Sequence, residues 1–459
     1  MAERIAADSE LDAVLAWFVR DRRLAGAAAG ALCGDEAFWC SGAGFADLAL
    51  GAAAGSATIY RIASITKTFT GAAVMLLREA DLLDLDDAVA EYIPEVRQAA
   101  PPETRIEQVT LRRMLAHASG LASEPSGTDW TVPLYERLTD LGQPGAVVTR
   151  IPPSQHPKYS NLAYHLLGEV ITRVSGVSYP DYIQEQILIP LGMNSTAFVM
   201  ADEWPQWRQA TGYAPRAFSD ELAVAAPAPQ MGAEGGLLSC VDDLLKWVRV
   251  QLDAYRRGVP GPVILPATAL REMHAPRWLD GDDWTRAWGL SWCAVRRGDA
   301  VWIQHSGGLP GYSTAVCFNP ESEVGAVALI NGSADAADLA MDLAAIMRRW
   351  GRARPPRISV PEPTPELVRP LLGLYSRAAH SQVIRLEWRD GMLVFMNPDE
   401  PRWRLELLPT SDPFRFTVGA GYRESGEPVE FHRLPDGRID SVFLADGTWR
   451  RLEHVTPLD

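Results

Sequence analysis

Ser64-Ile65-Thr66-Lys67 is the stretch from which the fold can be inferred, and it is the only Ser-x-x-Lys in the chain. Apolar residues at helical spacing follow from Phe69 to Leu77 and predict a helix that begins at Ser64. A separation of three residues puts Ser64 and Lys67 on one helical face, one turn apart. An amine beside a hydroxyl can take its proton when burial or neighbouring charge lowers the lysine pKa.

A lone Ser-x-x-Lys also fits a capped amphipathic helix with an exposed lysine, so its context matters. Lys158-Tyr159-Ser160-Asn161 precedes a second helical pattern, which runs from Leu162 to Val174. A tyrosine beside a lysine ammonium can lose its proton and relay protons between nucleophile and leaving group. Asn161 offers an amide donor and acceptor to a substrate amide, and Ser160 or Asn161 also suits a helix cap.

A third segment, 301–308, has the pattern of a strand that ends in Gly307-Gly308. Glycines at the end of a strand permit close approach of a ligand or of another backbone. The N–H groups of Gly308 and Ser64 could together form an oxyanion hole. An ordinary turn into Leu309-Pro310-Gly311 is the alternative interpretation.

Together these segments resemble the serine β-lactamase and penicillin-binding-protein superfamily. The closer resemblance is to its class C-like branch, which contains S12-type peptidases, D-aminopeptidases and family VIII esterases. Further stretches agree with that branch in order and spacing, over roughly residues 10 to 350. They are Arg61-Ile62-Ala63, residues 82–89, His117-Ala118-Ser119-Gly120-Leu121, Pro190-Leu191-Gly192-Met193, Gly235-Gly236-Leu237 and Trp288-Gly289-Leu290.

The resemblance implies a role for each motif residue. Ser64 would be the acylated nucleophile, Lys67 its partner and Tyr159 a second general acid or base. Asn161 would touch the substrate amide. The other substrate-binding or oxyanion residues implied in this way are His305, Gly307 and Gly308.

The chain departs from the penicillin-binding pattern at one position. Those proteins carry Lys-Thr-Gly where this chain has His305-Ser306-Gly307. A lysine is a permanent cation suited to a substrate carboxylate, whereas a histidine is only partly charged near neutral pH. Tight recognition of penicillins or of a C-terminal D-alanine carboxylate is therefore not expected. By resemblance, this histidine favours a D-aminopeptidase-like peptidase or amidase over family VIII esterases, which often carry tryptophan there.

The main functional hypothesis is a serine hydrolase that forms an acyl-enzyme on a small amide or peptide, including peptides that contain D-amino acids. A carboxylesterase or β-lactamase-like hydrolase of esters or lactams is the alternative. From another class, the alternatives are a penicillin-type sensor that stays acylated and an acyltransferase. No cofactor or metal is expected, because the cysteines and histidines lack metal-ligand spacing. Trp130, Trp204 and Trp207 suggest an aromatic-lined cleft, although packing explains them equally well.

The expected fold class is α+β, with a β-lactamase-like antiparallel sheet flanked by helices and a helical subdomain. The patterns predict a helix over 8–23, strands over 26–33 and 36–42, strands between 284 and 331, and a helix over 335–350. The helical subdomain extends to about residue 200 and carries Tyr159. We expect the active site between the sheet and this subdomain.

The proline-rich stretch 354–365 predicts an extended linker between a hydrolase domain, 1–353, and a C-terminal domain, 366–459. Short alternating strands and turns such as Asp390-Gly391 and Asp446-Gly447 predict a small antiparallel barrel. Around Gly373-Leu374-Tyr375 it resembles the lipocalin-like domain appended to some peptidases of the branch. The barrel would either limit substrate size, as a cap on the active-site mouth or as an oligomer contact, or be an accessory domain with no part in the chemistry.

The composition of this 459-residue chain restricts the kinds of molecule that we expect it to bind. A net charge of −15 argues against non-specific binding to nucleic acids or anionic membranes. No apolar run approaches the roughly 20 residues that span a bilayer. The acidic segment 1–20 lacks a long apolar core, so we expect it to be a helix and not a signal peptide. We expect a cytoplasmic protein with reduced cysteines that acts on a small molecule or short peptide. A homo-oligomer is left open.

Overall fold

The computed structural model describes residues 2–34, 37–101, 103–124, 147–215, 222–225, 231–256, 264–280, 284–298, 300–352, 364–377, 382–389, 391–396, 404–419, 426–444 and 447–452. Two compact units make up the chain, residues 1–353 and 354–459. Most of the predicted linker, the turn residues Asp390 and Asp446, and Trp130 lie outside the described residues.

The first unit combines helices with a large sheet. Its helices are α1 (Ala2–Asp21), α2 (Thr66–Glu79), α3 (Val89–Tyr92), α4 (Val96–Ala99), α5 (Leu111–Leu115), α6 (Asn161–Ser175), α7 (Tyr179–Ile183), α8 (Val241–Asp253), α9 (Ala267–His274) and α10 (Ala336–Arg352). Its strands are β1 (Gly26–Cys33), β2 (Ala37–Asp47), β3 (Ala52–Ala53), β4 (Tyr60–Arg61), β5 (Tyr213–Pro215), β6 (Leu222–Val224), β7 (Leu238–Ser239), β8 (Trp278–Leu279), β9 (Arg286–Trp288), β10 (Cys293–Arg297), β11 (Ala300–Leu309), β12 (Tyr312–Asn319) and β13 (Val324–Ile330).

Nine strands form one antiparallel sheet in the order β3-β2-β1-β13-β12-β11-β10-β9-β8. The sheet joins the two ends of the unit, because β1 pairs with β13 from Ala27 opposite Ile330 to Cys33 opposite Val324. Alternate residues of a strand face opposite sides. Ala27, with Ala29 and Ala31, therefore packs with the apolar residues of α1 and α10, while Ala28 packs with those of α2 and α8. This arrangement confirms the predicted α+β class.

Helix α2 is the central helix of the unit and is buried along most of its length. Its polar side chains are therefore expected to hydrogen-bond inside the protein. Thr68 Oγ1 donates to Ile65 O at 2.8 Å and accepts from Trp247 Nε1 at 2.9 Å. Phe69 stacks on Trp247 with ring centroids 4.2 Å apart. These contacts fix the helix that carries Lys67.

The second unit is a closed barrel of eight antiparallel strands. The strands are β14 (Gly373–Arg377), β15 (Gln382–Arg389), β16 (Met392–Met396), β17 (Arg404–Pro409), β18 (Arg415–Val418), β19 (Pro428–Arg433), β20 (Ile439–Leu444) and β21 (Gly447–Arg451). The first strand pairs with the last through Tyr375 and Arg451, so the sheet has no free edge. Tyr375, Phe395 and Phe431 pack inside it. The predicted barrel is confirmed, and its lipocalin-like kinship stays a prediction.

Candidate active site

Ser64 lies in a single 3₁₀ turn, Ala63–Ile65, directly before α2, close to the predicted helix start. Ala63 has a φ of +50°, in the left-handed region that non-glycine residues rarely occupy. Such a backbone costs on the order of 1–3 kcal/mol and persists only where its surroundings enforce it. One such restraint is the hydrogen bond from Thr314 Oγ1 to Ile62 O, at 2.9 Å. The turn is thus fastened to the sheet just before the serine.

Lys67 is fully buried beside the serine. Its Nζ is 3.1 Å from Ser64 Oγ and 2.7 Å from Asn161 Oδ1, and it also donates to Glu234 O. The last two partners are carbonyl oxygens, which only accept, whereas a hydroxyl can donate as well. A neutral amine can therefore keep both carbonyl contacts and point its lone pair at the Ser64 hydroxyl.

The charge state of Lys67 is set by two opposing influences. Burial lowers the pKa of the amine to about 7, and the carboxylates of Glu234 and Glu124 act in the opposite direction. Near neutral pH a substantial share of Lys67 is therefore deprotonated. This is the protonation state that a general base requires.

Tyr159 lies close enough to Ser64 for the serine side chain to lower the tyrosine pKa. Its ring stacks on His117 with centroids 4.1 Å apart, and Lys67 Nζ lies 5.0 Å from the ring centroid. Burial raises the pKa of Tyr159, an effect only partly offset by the Ser64 side chain. The phenol therefore keeps its proton near neutral pH in the free protein, and Lys67 does not ionise it. Lys158 does not serve either, since its Nζ donates to Ser123 Oγ at 2.8 Å.

Asn161 is the first residue of α6, and Ser160 caps that helix by accepting from Ala163 N at 3.0 Å. The Asn161 amide is occupied at both ends. Its Oδ1 accepts from Lys67 and its Nδ2 donates to Glu124 Oε1 at 2.6 Å. In the free protein Asn161 therefore joins the lysine to an acid, and a substrate amide would have to compete for these contacts.

His305 is buried in β11. Its Nδ1 lies 2.8 Å from Ser306 O, which can only accept, so the proton is on Nδ1. Nε2 has no hydrogen-bond partner within the described part of the chain. Burial, with the charge of Lys67, lowers the pKa of His305 to about 3. The His305 side chain is thus neutral and has a buried acceptor nitrogen, near Tyr159 and Trp288.

The two glycines lie inside β11 rather than at its end, because the strand continues to Leu309. A Cβ on Gly307 would be 2.3 Å from Ile62 O, so only glycine lets the strand lie this close to the serine turn. A Cβ on Gly308 would meet no atom within 4 Å. The strand therefore packs on the turn at one glycine and leaves space at the next.

Glu234 is a site residue that the sequence analysis missed. It is fully buried, its Oε1 accepts from Gly232 N at 3.1 Å, and its Oε2 is 3.6 Å from His165 Nδ1. Burial raises the pKa of this carboxyl, but His165 and the backbone N–H groups prevail and hold it below its usual range. An acid directly before Gly235-Gly236 in an otherwise apolar stretch was the only available signal.

His117 is also closer to the chemistry than its sequence indicated. Its Nδ1 accepts from Ser160 N at 3.2 Å, and its ring contacts Tyr159, Tyr164 and Trp288. Burial and the charge of Lys67 lower its pKa, so it is neutral. It acts as the platform on which the Tyr159 ring lies.

Other predictions from the sequence concern residues away from this cluster. Trp204 packs against the small apolar cluster of Ile59, Leu238 and Cys240, and Trp207 is exposed. None of the five cysteines, which all lie in described segments, forms a disulfide. Among the described residues no group of three or more His, Cys, Asp or Glu could hold a metal ion. Across the same residues, no helix has the length and apolarity to cross a bilayer.

The family model described as Beta-lactamase matches residues 11–348, well over half of the chain. The chain belongs to the beta-lactamase family. This confirms the resemblance to the β-lactamase and penicillin-binding-protein superfamily of serine hydrolases.

Three similar proteins show how much of this chain is shared with known proteins, and at what sequence identity. Protein flp of Staphylococcus aureus (strain COL) is 27% identical over 343 residues, which are 72% of this chain and 64% of that protein. The match thus spans less than two thirds of that relative. The octameric penicillin-binding protein homologue from Pyrococcus abyssi covers 96% of this chain and 99% of its own, with a TM-score of 0.63 and 22% identity. SurE, in its structure with D-Leu, covers 98% and 100%, with a TM-score of 0.59 and 23% identity.

Proposed function

We propose that this protein is a hydrolase that forms an acyl-enzyme on Ser64 and acts on a small amide or peptide. The observation that carries the proposal is the 3.1 Å contact between Lys67 Nζ and Ser64 Oγ. The amine is buried, its pKa is lowered to about 7, and two carbonyl oxygens orient it. A nucleophile with an adjacent, oriented base is the arrangement that covalent catalysis by serine requires.

In the first half of the reaction, Lys67 Nζ takes the proton from Ser64 Oγ as Oγ attacks the substrate carbonyl carbon. The new C–O bond turns the carbonyl oxygen into an oxyanion, for which the N–H groups of Ser64 and Gly308 are the donors. Collapse of this intermediate breaks the C–N bond. Tyr159, protonated in the free protein, gives its proton to the leaving nitrogen and regains one from Lys67.

In the second half, water attacks the acyl carbon and gives a proton to Lys67, which the first half left neutral. The bond between the acyl carbon and Ser64 Oγ then breaks, Oγ is protonated again, and the acid leaves. All protons that are taken up are returned, so the cycle consumes only substrate and water. Asn161 holds Lys67 throughout, and its amide turns to the substrate if the contact with Glu124 is released.

The neutral His305 favours a substrate without a carboxylate at that position. A buried acceptor suits an N–H donor of a peptide or an amine better than a negative group. This supports the amidase or peptidase hypothesis over recognition of penicillins, and it leaves esters as the runner-up. The D-Leu in the SurE structure makes a D-leucyl anilide a sensible probe beside a D-alanyl anilide.

The test compares hydrolysis of D-alanyl and D-leucyl p-nitroanilides, their L counterparts and p-nitrophenyl butyrate. Wild type, Ser64→Ala and the matched control Ser123→Ala are measured side by side; Ser123 contacts Lys158, not Lys67. Cleavage of an anilide that is lost only in Ser64→Ala supports the proposal. Cleavage of the ester alone would establish the carboxylesterase alternative. Faster product formation with an added amine than with water would establish an acyltransferase, and a stable adduct without turnover a sensor.

A further inference from the structure

A second cavity in the first unit has no part in the chemistry described above. Its volume is about 690 Å³, and it lies between α6, α7 and the segments 198–200 and 231–238. Residues that line it include Arg61, His165, Thr172, Tyr179, Phe198 and Met231. Ser64, Lys67, Tyr159, Asn161 and His305 do not line it.

The cavity is lined by residues directly adjacent in sequence to the one that accepts from Lys67. Gly232 and Ala233 line the cavity, while the carbonyl oxygen of the next residue, Glu234, accepts from Lys67 Nζ. His165 lines the cavity too, and its Nδ1 is 3.6 Å from Glu234 Oε2. A molecule in the cavity would therefore contact the neighbours of Glu234, the residue whose carbonyl oxygen accepts from the lysine, without reaching the serine.

The two charged side chains of the lining, Glu169 and Arg61, differ in their partners. Glu169 is 2.6 Å from Arg173, which also pairs with Glu95 at 2.8 Å. Arg61 is half-buried, and its side chain forms no hydrogen bond or ion pair with any described residue. A half-buried guanidinium without a partner is costly, and carboxylates are the groups that its planar donors fit best. The cavity therefore combines a cation that no described residue pairs with and apolar walls such as Phe198 and Leu238.

The volume also suits a small molecule, since ligand sites usually measure about 300–1,000 Å³ and pair apolar walls with a few polar groups. We propose that this cavity is a second ligand site, separate from the Ser64 cleft, which binds a small carboxylate with an apolar body. The carboxylate pairs with Arg61, and the apolar body lies against Phe198, Met231 and Leu238. This inference does not depend on the proposed hydrolase activity.

The test is calorimetric titration of the full chain with octanoate, with octylamine and octanol as matched probes of the same length. Two variants probe the site: Arg61→Met removes the cation, and Thr172→Phe fills the cavity from α6. Arg105→Met, at an exposed arginine outside the cavity, is the control. Thermal melting of each variant establishes that it is folded.

We expect the wild type to bind one octanoate per chain and to bind octylamine at least about tenfold more weakly. Octanoate should bind at least about tenfold more weakly to both cavity variants and with unchanged affinity to Arg105→Met. Octanoate binding that survives Arg61→Met and Thr172→Phe in folded protein would overturn the proposal, as would absence of saturable binding to the wild type. Because the readout is binding and not turnover, an inactive protein would still test this site.

Discussion

The side chain of Lys67 donates to the backbone carbonyl oxygen of Glu234, and the carboxylate of the same glutamate is buried where its charge acts on the lysine. One residue thus orients the amine through its backbone and opposes the loss of its proton through its side chain. The balance between burial and this charge sets the pH at which Lys67 becomes a base.

That balance predicts the pH dependence of activity. Because deprotonated Lys67 takes the serine proton, kcat/KM rises with pH through the Lys67 pKa, which is about 7. Glu234→Gln removes a charge that raises this pKa, so the rising limb shifts to lower pH. Full pH profiles of wild type and variant measure the shift. Glu169→Gln, whose carboxylate pairs with Arg173, is the matched control, and an identical shift there would refute the role of Glu234.

Tyr159→Phe separates the proton transfer from the packing. The phenyl ring can still stack on His117, so the melting temperature should stay close to that of the wild type. Loss of the hydroxyl should lower kcat for anilides by roughly 10²–10⁴-fold, the usual contribution of a positioned acid or base. Steady-state kinetics measures this. A kcat within a few-fold of the wild type would exclude Tyr159 from proton transfer to the leaving group.

Gly307→Ala and Gly308→Ala form a pair that differs by one position in β11. The added methyl at 307 would come 2.3 Å from Ile62 O and 2.5 Å from Thr314 Oγ1, whereas at 308 it meets nothing within 4 Å. We expect Gly307→Ala to lower the free energy of unfolding by about 1–3 kcal/mol. Gly308→Ala should leave it nearly unchanged. Equal free energies of unfolding for the two variants in denaturant titrations would show that β11 does not pack closely against the serine turn at Gly307.

His305→Lys tests the account of substrate charge. The native side chain is neutral because burial lowers its pKa to about 3, whereas a lysine that reaches the substrate would offer an ammonium. The variant should bind carboxylate-bearing substrates more tightly than the wild type does. The measurement is the ratio of KM for a peptide with a free C-terminus to KM for its C-terminal amide, which should be lower in the variant. His305→Gln, also neutral, should show no such gain. The same KM ratio in His305→Lys as in the wild type would contradict this account.

Much of this architecture could be predicted from local sequence. The strand predicted over 26–33 is β1, and the helix predicted over 335–350 matches α10, because apolar periodicity is strong where one element packs on the sheet. Ser64 and Lys67 are one helical turn apart, so their contact followed from spacing alone. Tyr159 and Asn161 were singled out by their position before a helical pattern, and the family resemblance supplied their roles.

Contacts between residues distant in sequence could not be predicted in the same way. Glu234 is 167 residues from the lysine that it holds, and no local pattern links the two. Burial sets the protonation states of His305 and Tyr159. Because their burial arises only when distant segments pack together, local sequence could not predict it. The end of β11 was placed too early because glycine usually breaks a strand, while here Gly307 is required by the close approach to Ile62.

The most direct measurement is mass spectrometry of the protein quenched in acid during turnover of p-nitrophenyl butyrate, followed by mapping of the adduct. Both the amide and the ester hypotheses require an acyl group on Ser64 as an intermediate. We predict a butyryl group on the peptide that contains Ser64, and none in Ser64→Ala. An adduct on another residue, or undiminished turnover by Ser64→Ala, would contradict the central claim.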